Sequence, residues 1–79
     1  MRPLASLDQF PAKTKATVRQ LRGGQEFASR LAAMGLVVDA PLVVRQNTGR
    51  GAMLVEVRDT RIALGRSEAK KILVEEADA

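Results

Sequence analysis

Between Lys15 and Val74 the apolar residues recur in two rhythms. Most of the span alternates. Ala16 and Val18 lie between Lys15, Thr17 and Arg19, and Leu42 and Val44 bracket Val43. Met53, Val55 and Val57 interleave with Leu54 and Glu56, Ile62 and Leu64 flank Ala63, and Ile72 and Val74 flank Leu73. A period of two sends one set of side chains to one face of a strand, so five short strands are predicted with these residues inward. In the first strand the phase slips, because Leu21 is apolar where alternation calls for Gln20. A bulge near Arg19–Gln20 restores the register.

The second rhythm is helical and short. Phe27, Leu31 and Met34 stand at i, i+4 and i+7 and share one face, which is expected in the core. Gly23-Gly24 makes a turn, and Gln25 or Glu26 opens the helix. Gly35 closes it in the left-handed conformation that costs glycine least, and Leu36 folds back onto the last turn.

The connections complete a small β architecture. Asp39-Ala40-Pro41 is tight, with the proline at a strand's start. Asn47 to Gly51 is a hairpin loop, and Arg58 to Arg61 turns again. Ser67, Ala69 and Lys70 fit a single helical turn capped by Ser67. Residues 1–12 read as a partly irregular arm whose Leu4, Leu7 and Phe10 lean on the body, and 75–79 as an acidic tail. The whole chain, 1–79, is expected to be one domain. The fold class is mainly β: a small SH3-like barrel of about five strands, with one inserted amphipathic helix and a short helical turn before the last strand. An OB-like barrel is the alternative from pattern alone.

Chemistry narrows the function classes. The 79 residues include no His and no Cys, which removes the commonest general base, the best nucleophile and the usual zinc or iron ligands. No catalytic residue, cofactor site or metal site is expected, and Glu75, Glu76 and Asp78 read as solvated. Gly49-Arg50-Gly51 lacks the spacing and the lysine of a phosphate loop and belongs to the hairpin. No apolar run reaches the roughly 18–20 residues of a membrane span. Leu4 and its neighbours do not form a signal-peptide core, so a cytoplasmic location is expected.

The net charge of +4 is uneven, with +4 over residues 1–22, +3 over 45–66 and −3 over 75–79. Basic barrels that bind single-stranded nucleic acid add aromatic platforms, and this chain has no Trp, no Tyr and two Phe already engaged in structure. Charge alone gives only weak, salt-sensitive, non-specific binding. The apolar residues on or near the outward phase are more informative: Val37, Val38, Val43 and Leu54, with Arg30 and Arg45 as a basic rim, are the candidate partner-binding residues.

The chain also resembles a known family. Leu4 and Leu7, Ala16-Thr17-Val18 with Leu21 and Gly23-Gly24, and above all Arg30-Leu31-Ala32-Ala33-Met34-Gly35-Leu36 match the pattern of FeoA proteins. Val55-Glu56-Val57, Arg61-Ile62-Ala63-Leu64-Gly65-Arg66 and Ile72-Leu73-Val74 continue the match at the right separations. Pro11-Ala12-Lys13 and Asp39-Ala40-Pro41 depart from it in two turns. The resemblance implies an SH3-like domain, related to the C-terminal domain of iron-dependent repressors. The implied role is that of a small cytoplasmic accessory of bacterial ferrous iron uptake. It would act by protein–protein contact with FeoB, the membrane permease with a GTPase domain, without membrane insertion and with weak homo-oligomerisation as an option. The alternatives are a stand-alone SH3-like interaction domain of the iron-dependent regulator type, or a weak non-specific nucleic-acid-binding barrel.

Overall fold

The alternating segments form the strands of a single sheet in a computed structural model that describes residues 3–77. The strands are β1 (Ala5–Ser6), β2 (Lys15–Leu21), β3 (Pro41–Gln46), β4 (Met53–Val57), β5 (Thr60–Leu64) and β6 (Ile72–Glu76). Two helices, α1 (Gly24–Ala32) and α2 (Arg66–Ala69), and a 3-10 turn over Leu7–Gln9 complete the elements of the described residues. All neighbouring strands are antiparallel, in the order β1-β6-β2-β3-β4-β5.

The inward set is the one the alternation predicts. Ala16, Val18, Leu42, Val44, Met53, Val55, Val57, Ile62, Leu64, Ile72 and Val74 are all buried, and Phe27, Leu31 and Leu36 pack onto them from the α1 side. Each buried Val, Leu, Ile, Met or Phe among them contributes about 1.5–3 kcal/mol by leaving water. The pairing of β2 with β6 shifts between Val18 and Gln20, so the bulge sits where the apolar phase slips. A second shift, between Val44 and Gln46 on β3, has no counterpart in the hydrophobic pattern.

Several local expectations change. There are six strands rather than five, because Ala5 and Ser6 pair with Val74 and Leu73. Leu7 is fully buried and Phe10 packs against the core, whereas Leu4 is exposed rather than leaning on the barrel. The arm is held by a side chain far along the chain. Asn47 Nδ2 donates to the carbonyls of Asp8 (3.0 Å) and Phe10 (2.8 Å), while its Oδ1 accepts from the Gly49 N–H at 3.1 Å. Arg66 Nη2 adds a second donor to the Asp8 carbonyl at 3.0 Å.

Helix α1 begins at Gly24, one residue before Gln25, and α2 is capped at Gly65 instead of Ser67. Glu68 reaches back so that its Oε1 accepts from the Gly65 N–H at 3.0 Å, the N3 half of a capping box, while Gly65 has no side chain to supply the other half. At the C-terminal end, β6 runs on through Glu75 and Glu76, which pair with Thr17 and Ala16. Successive strand residues face opposite ways, so these two carboxylates do not converge. Asp78 lies outside the described residues.

Candidate protein-interaction surface

The end of α1 determines which apolar side chains remain outside. Its last i→i−4 hydrogen bond runs from Ala33 N–H to the Ser29 carbonyl at 3.2 Å. Gly35 then takes φ = +89°, its N–H bonds the Ala32 carbonyl, and the Leu36 N–H bonds the Leu31 carbonyl, both at 2.9 Å. This is a Schellman turn, whose left-handed residue reverses the chain and whose following apolar residue packs back onto the helix. Leu36 fills the space beneath the last turn and is fully buried. Met34, expected in the core, is instead 38% exposed.

Beyond the turn the α1–β3 loop projects Val37 and Val38, 44% and 51% exposed. The loop is closed by main-chain bonds. Val37 N–H bonds the Gly35 carbonyl (3.2 Å), Ala40 N–H the Val37 carbonyl (3.0 Å), and Asp39 N–H the Val18 carbonyl (2.7 Å). Val18 N–H answers to the Ala40 carbonyl at 3.0 Å, and Ala40 itself is buried. Asp39 holds φ = +76°, and its Oδ1 accepts from Arg19 Nη1 at 2.7 Å. Three large apolar side chains therefore stand in water on a segment stitched to β2, where little chain entropy remains to be lost on binding.

The six sequence candidates fall at three separate places. Val37 and Val38 are in this loop. Arg30, on α1, turns toward α2: its Nη2 is 3.9 Å from Glu68 Oε2 and its Cζ is 5.8 Å from the Phe27 ring centre. Its charge is engaged there rather than with Val37 and Val38. Val43, Arg45 and Leu54 share the outer face of the sheet, Val43 opposite Glu56 and Leu54 opposite Gln46 and Ala63. Arg45 Nε donates to Glu56 Oε1 at 2.9 Å, with Arg61 Nε 3.5 Å away from the same oxygen. The rim cations at 30 and 45 both already face a carboxylate. Met34 is the residue that the sequence reading missed. Its signal was its position immediately before the helix-ending glycine, where the chain has already left the helical path.

Two ionisable groups are shifted by these contacts. Hydrogen bonding from Arg45 holds the Glu56 carboxyl below its usual range against a smaller opposing effect of burial, and the nearby charges of Arg45 and Arg61 reinforce it. The hydrogen bond to Glu75 raises Arg19 above its ordinary value; partial burial opposes this, and Asp39 adds to it. Both are ion-pair effects on a sheet surface and mark no acid–base catalyst. Among the described residues no three His, Cys, Asp or Glu gather as metal ligands, and no helix is long and apolar enough to cross a membrane.

The sequence profile of the FeoA domain matches residues 5–76. No curated protein sequence is a significant match. The crystal structure of an iron uptake regulatory protein (FeoA) superposes with a TM-score of 0.89 at 24% identity, covering 95% of this chain and 100% of that one. Stenotrophomonas maltophilia FeoA complexed with zinc, described as a prokaryotic SH3 domain protein, is 32% identical with a TM-score of 0.72, covering 89% of this chain and 88% of that one. A manganese-dependent transcriptional repressor shares the fold at 20% identity and a TM-score of 0.86, over 98% of this chain and 44% of its own length. The fold is thus SH3-like. The residues present do not fit a zinc site, since the chain has no His or Cys and its described carboxylates are dispersed.

Proposed function

Because the chain belongs to the FeoA family, we propose that it is a cytoplasmic accessory protein of bacterial ferrous iron uptake that works by docking on FeoB, the membrane permease with a GTPase domain. Family membership supports a role in ferrous iron transport. The absence of His and Cys leaves the chain without the ligands expected of a ferrous carrier, so iron is the cargo of its partner. The observation that carries the reading is the fixed loop bearing exposed Val37 and Val38 beside Met34.

A partner that covers these three side chains gains their burial without ordering a flexible segment. The contact transmits an effect to the partner's GTPase or transport cycle; the nucleotide chemistry stays with the partner's own groups. The test is recovery of the permease from native membranes by the tagged protein, paired with ferrous iron uptake in a deletion strain. Recovery and a changed uptake rate support the proposal. Failure to recover the permease, together with unchanged uptake, overturns it.

A further inference from the structure

Strand register creates a second surface that shares no residue with the α1–β3 loop. On the outer face of the sheet Lys15 stands opposite Val43, Val43 opposite Glu56, and Thr17 opposite Pro41. Lys15, Pro41, Val43, Glu56, Arg58 and Ala77 line a shallow groove of about 280 Å³. Pro41, Val43 and Ala77 make its floor apolar. Its single carboxylate, Glu56, is already held by Arg45 and Arg61. Lys15 and Arg58 are exposed, and neither is ion-paired among the described residues.

An apolar floor between two cations that have no ion-pair partner among the described residues is complementary to an apolar side chain flanked by carboxylates. The groove lies just below the roughly 300–1,000 Å³ of ligand pockets, which suits one or two side chains of a segment passing over the sheet. It contains no aromatic residue on which a base could stack, and this disfavours a nucleic acid. We propose that this groove docks an extended acidic segment of a partner protein, with an apolar residue over Val43 and Pro41 and carboxylates against Lys15 and Arg58. Val43 is then a binding residue for a contact separate from the one at Val37 and Val38. The two surfaces leave room for one partner on the loop and one on the sheet.

The test is a titration of the 15N-labelled full chain, read by amide chemical shifts, with three synthetic heptapeptides. One has a central Leu between Asp and Glu residues, one has Ala at its centre with the same acidic flanks, and one has the central Leu between Lys residues. The acidic Leu peptide should shift the amides of Lys15, Val43, Glu56, Arg58 and Ala77, and bind at least tenfold (about 1.4 kcal/mol) tighter than the other two. Val43→Glu should weaken it at least tenfold. Lys15→Glu and Arg58→Asn, both at exposed positions, should each weaken it several-fold and serve as the test if Val43→Glu disturbs the fold. Asn is chosen at 58 because the backbone there has φ = +58°, which Asn tolerates. Shifts centred on Val37 and Val38, equal binding of the Ala-centred peptide, insensitivity to Lys15→Glu and Arg58→Asn, or no binding would each overturn the proposal. No permease is present in this experiment, so its outcome is independent of the proposed function.

Discussion

Gly35→Ala isolates the cost of the turn that presents the interaction loop. A Cβ built at this position meets only Val57 Cγ1, at 3.5 Å, an ordinary contact, so the substitution fits sterically. The penalty is conformational, because φ is +89° and an L-residue pays about 1–2 kcal/mol for the left-handed region. The lower chain entropy of unfolded Ala returns roughly 0.4–1 kcal/mol. A net loss of about 1 kcal/mol is expected, or about 4–8 °C in Tm for a domain of this size. Gly23→Ala is the complementary control. Its φ of −125° suits Ala, but the new Cβ would collide with the ring of Phe27, which is buried. Overpacking there should cost about 1–3 kcal/mol. Gly35→Asn should recover part of the Gly35→Ala loss, because Asn tolerates the left-handed region, whereas Gly23→Asn should recover nothing. The assay is urea denaturation followed by far-UV circular dichroism, since a chain without Trp or Tyr gives little intrinsic fluorescence. A Gly35→Ala protein as stable as the parent, or a Gly35→Asn protein less stable than Gly35→Ala, would refute the assignment of this turn.

The clasp on the arm predicts that Asn47→Ala costs about 1–3 kcal/mol, because the part-buried Phe10 carbonyl loses the amide that caps it and the Asp8 carbonyl keeps only Arg66 as a side-chain donor. Asn47→Asp should be at least as damaging, since it sets a carboxylate against the same carbonyls, and amide hydrogen exchange should quicken first at Ala5 and Ser6. Glu56 gives a pH signature. Its folded pKa is depressed, so its stabilising contribution is complete above the ordinary carboxylate value of 4.5 and is lost as pH falls through the lower folded value. The stability difference between the parent and Glu56→Gln should therefore be largest near neutral pH and shrink on acidification below about pH 4. Constancy of that difference from neutral to strongly acidic pH would show that the Arg45–Glu56–Arg61 cluster does not stabilise the fold.

Much of this fold was legible because alternation is a local signal. Met53, Val55 and Val57, or Ile62 and Leu64, need no knowledge of their neighbours to declare an inward face. The slip at Leu21 located a bulge for the same reason. Strand β1 was not legible, since two residues have no period, and its pairing depends on β6 arriving from the other end of the chain. Asn47 read correctly as a turn residue, but its grip on Asp8 and Phe10 spans 39 and 37 positions and leaves no trace in local pattern. Met34 satisfied the helical spacing and still faces water, because Leu36 takes the space beneath the turn. The outer groove depends on register between three strands, so Val43 could be marked as outward while Lys15 and Arg58 could not be grouped with it.

The permease contact that we propose rests on Val37 and Val38, held out by a closed loop. It is tested most directly by measuring permease binding of Val38→Asp against the parent protein in detergent-solubilised membranes, with thermal stability recorded alongside. An exposed position away from caps and core should change stability by no more than about 0.5 kcal/mol. An unchanged Tm and at least tenfold weaker binding are expected, the cost of placing a charge in an apolar contact. Binding equal to that of the parent, from a Val38→Asp protein that folds normally, would contradict it.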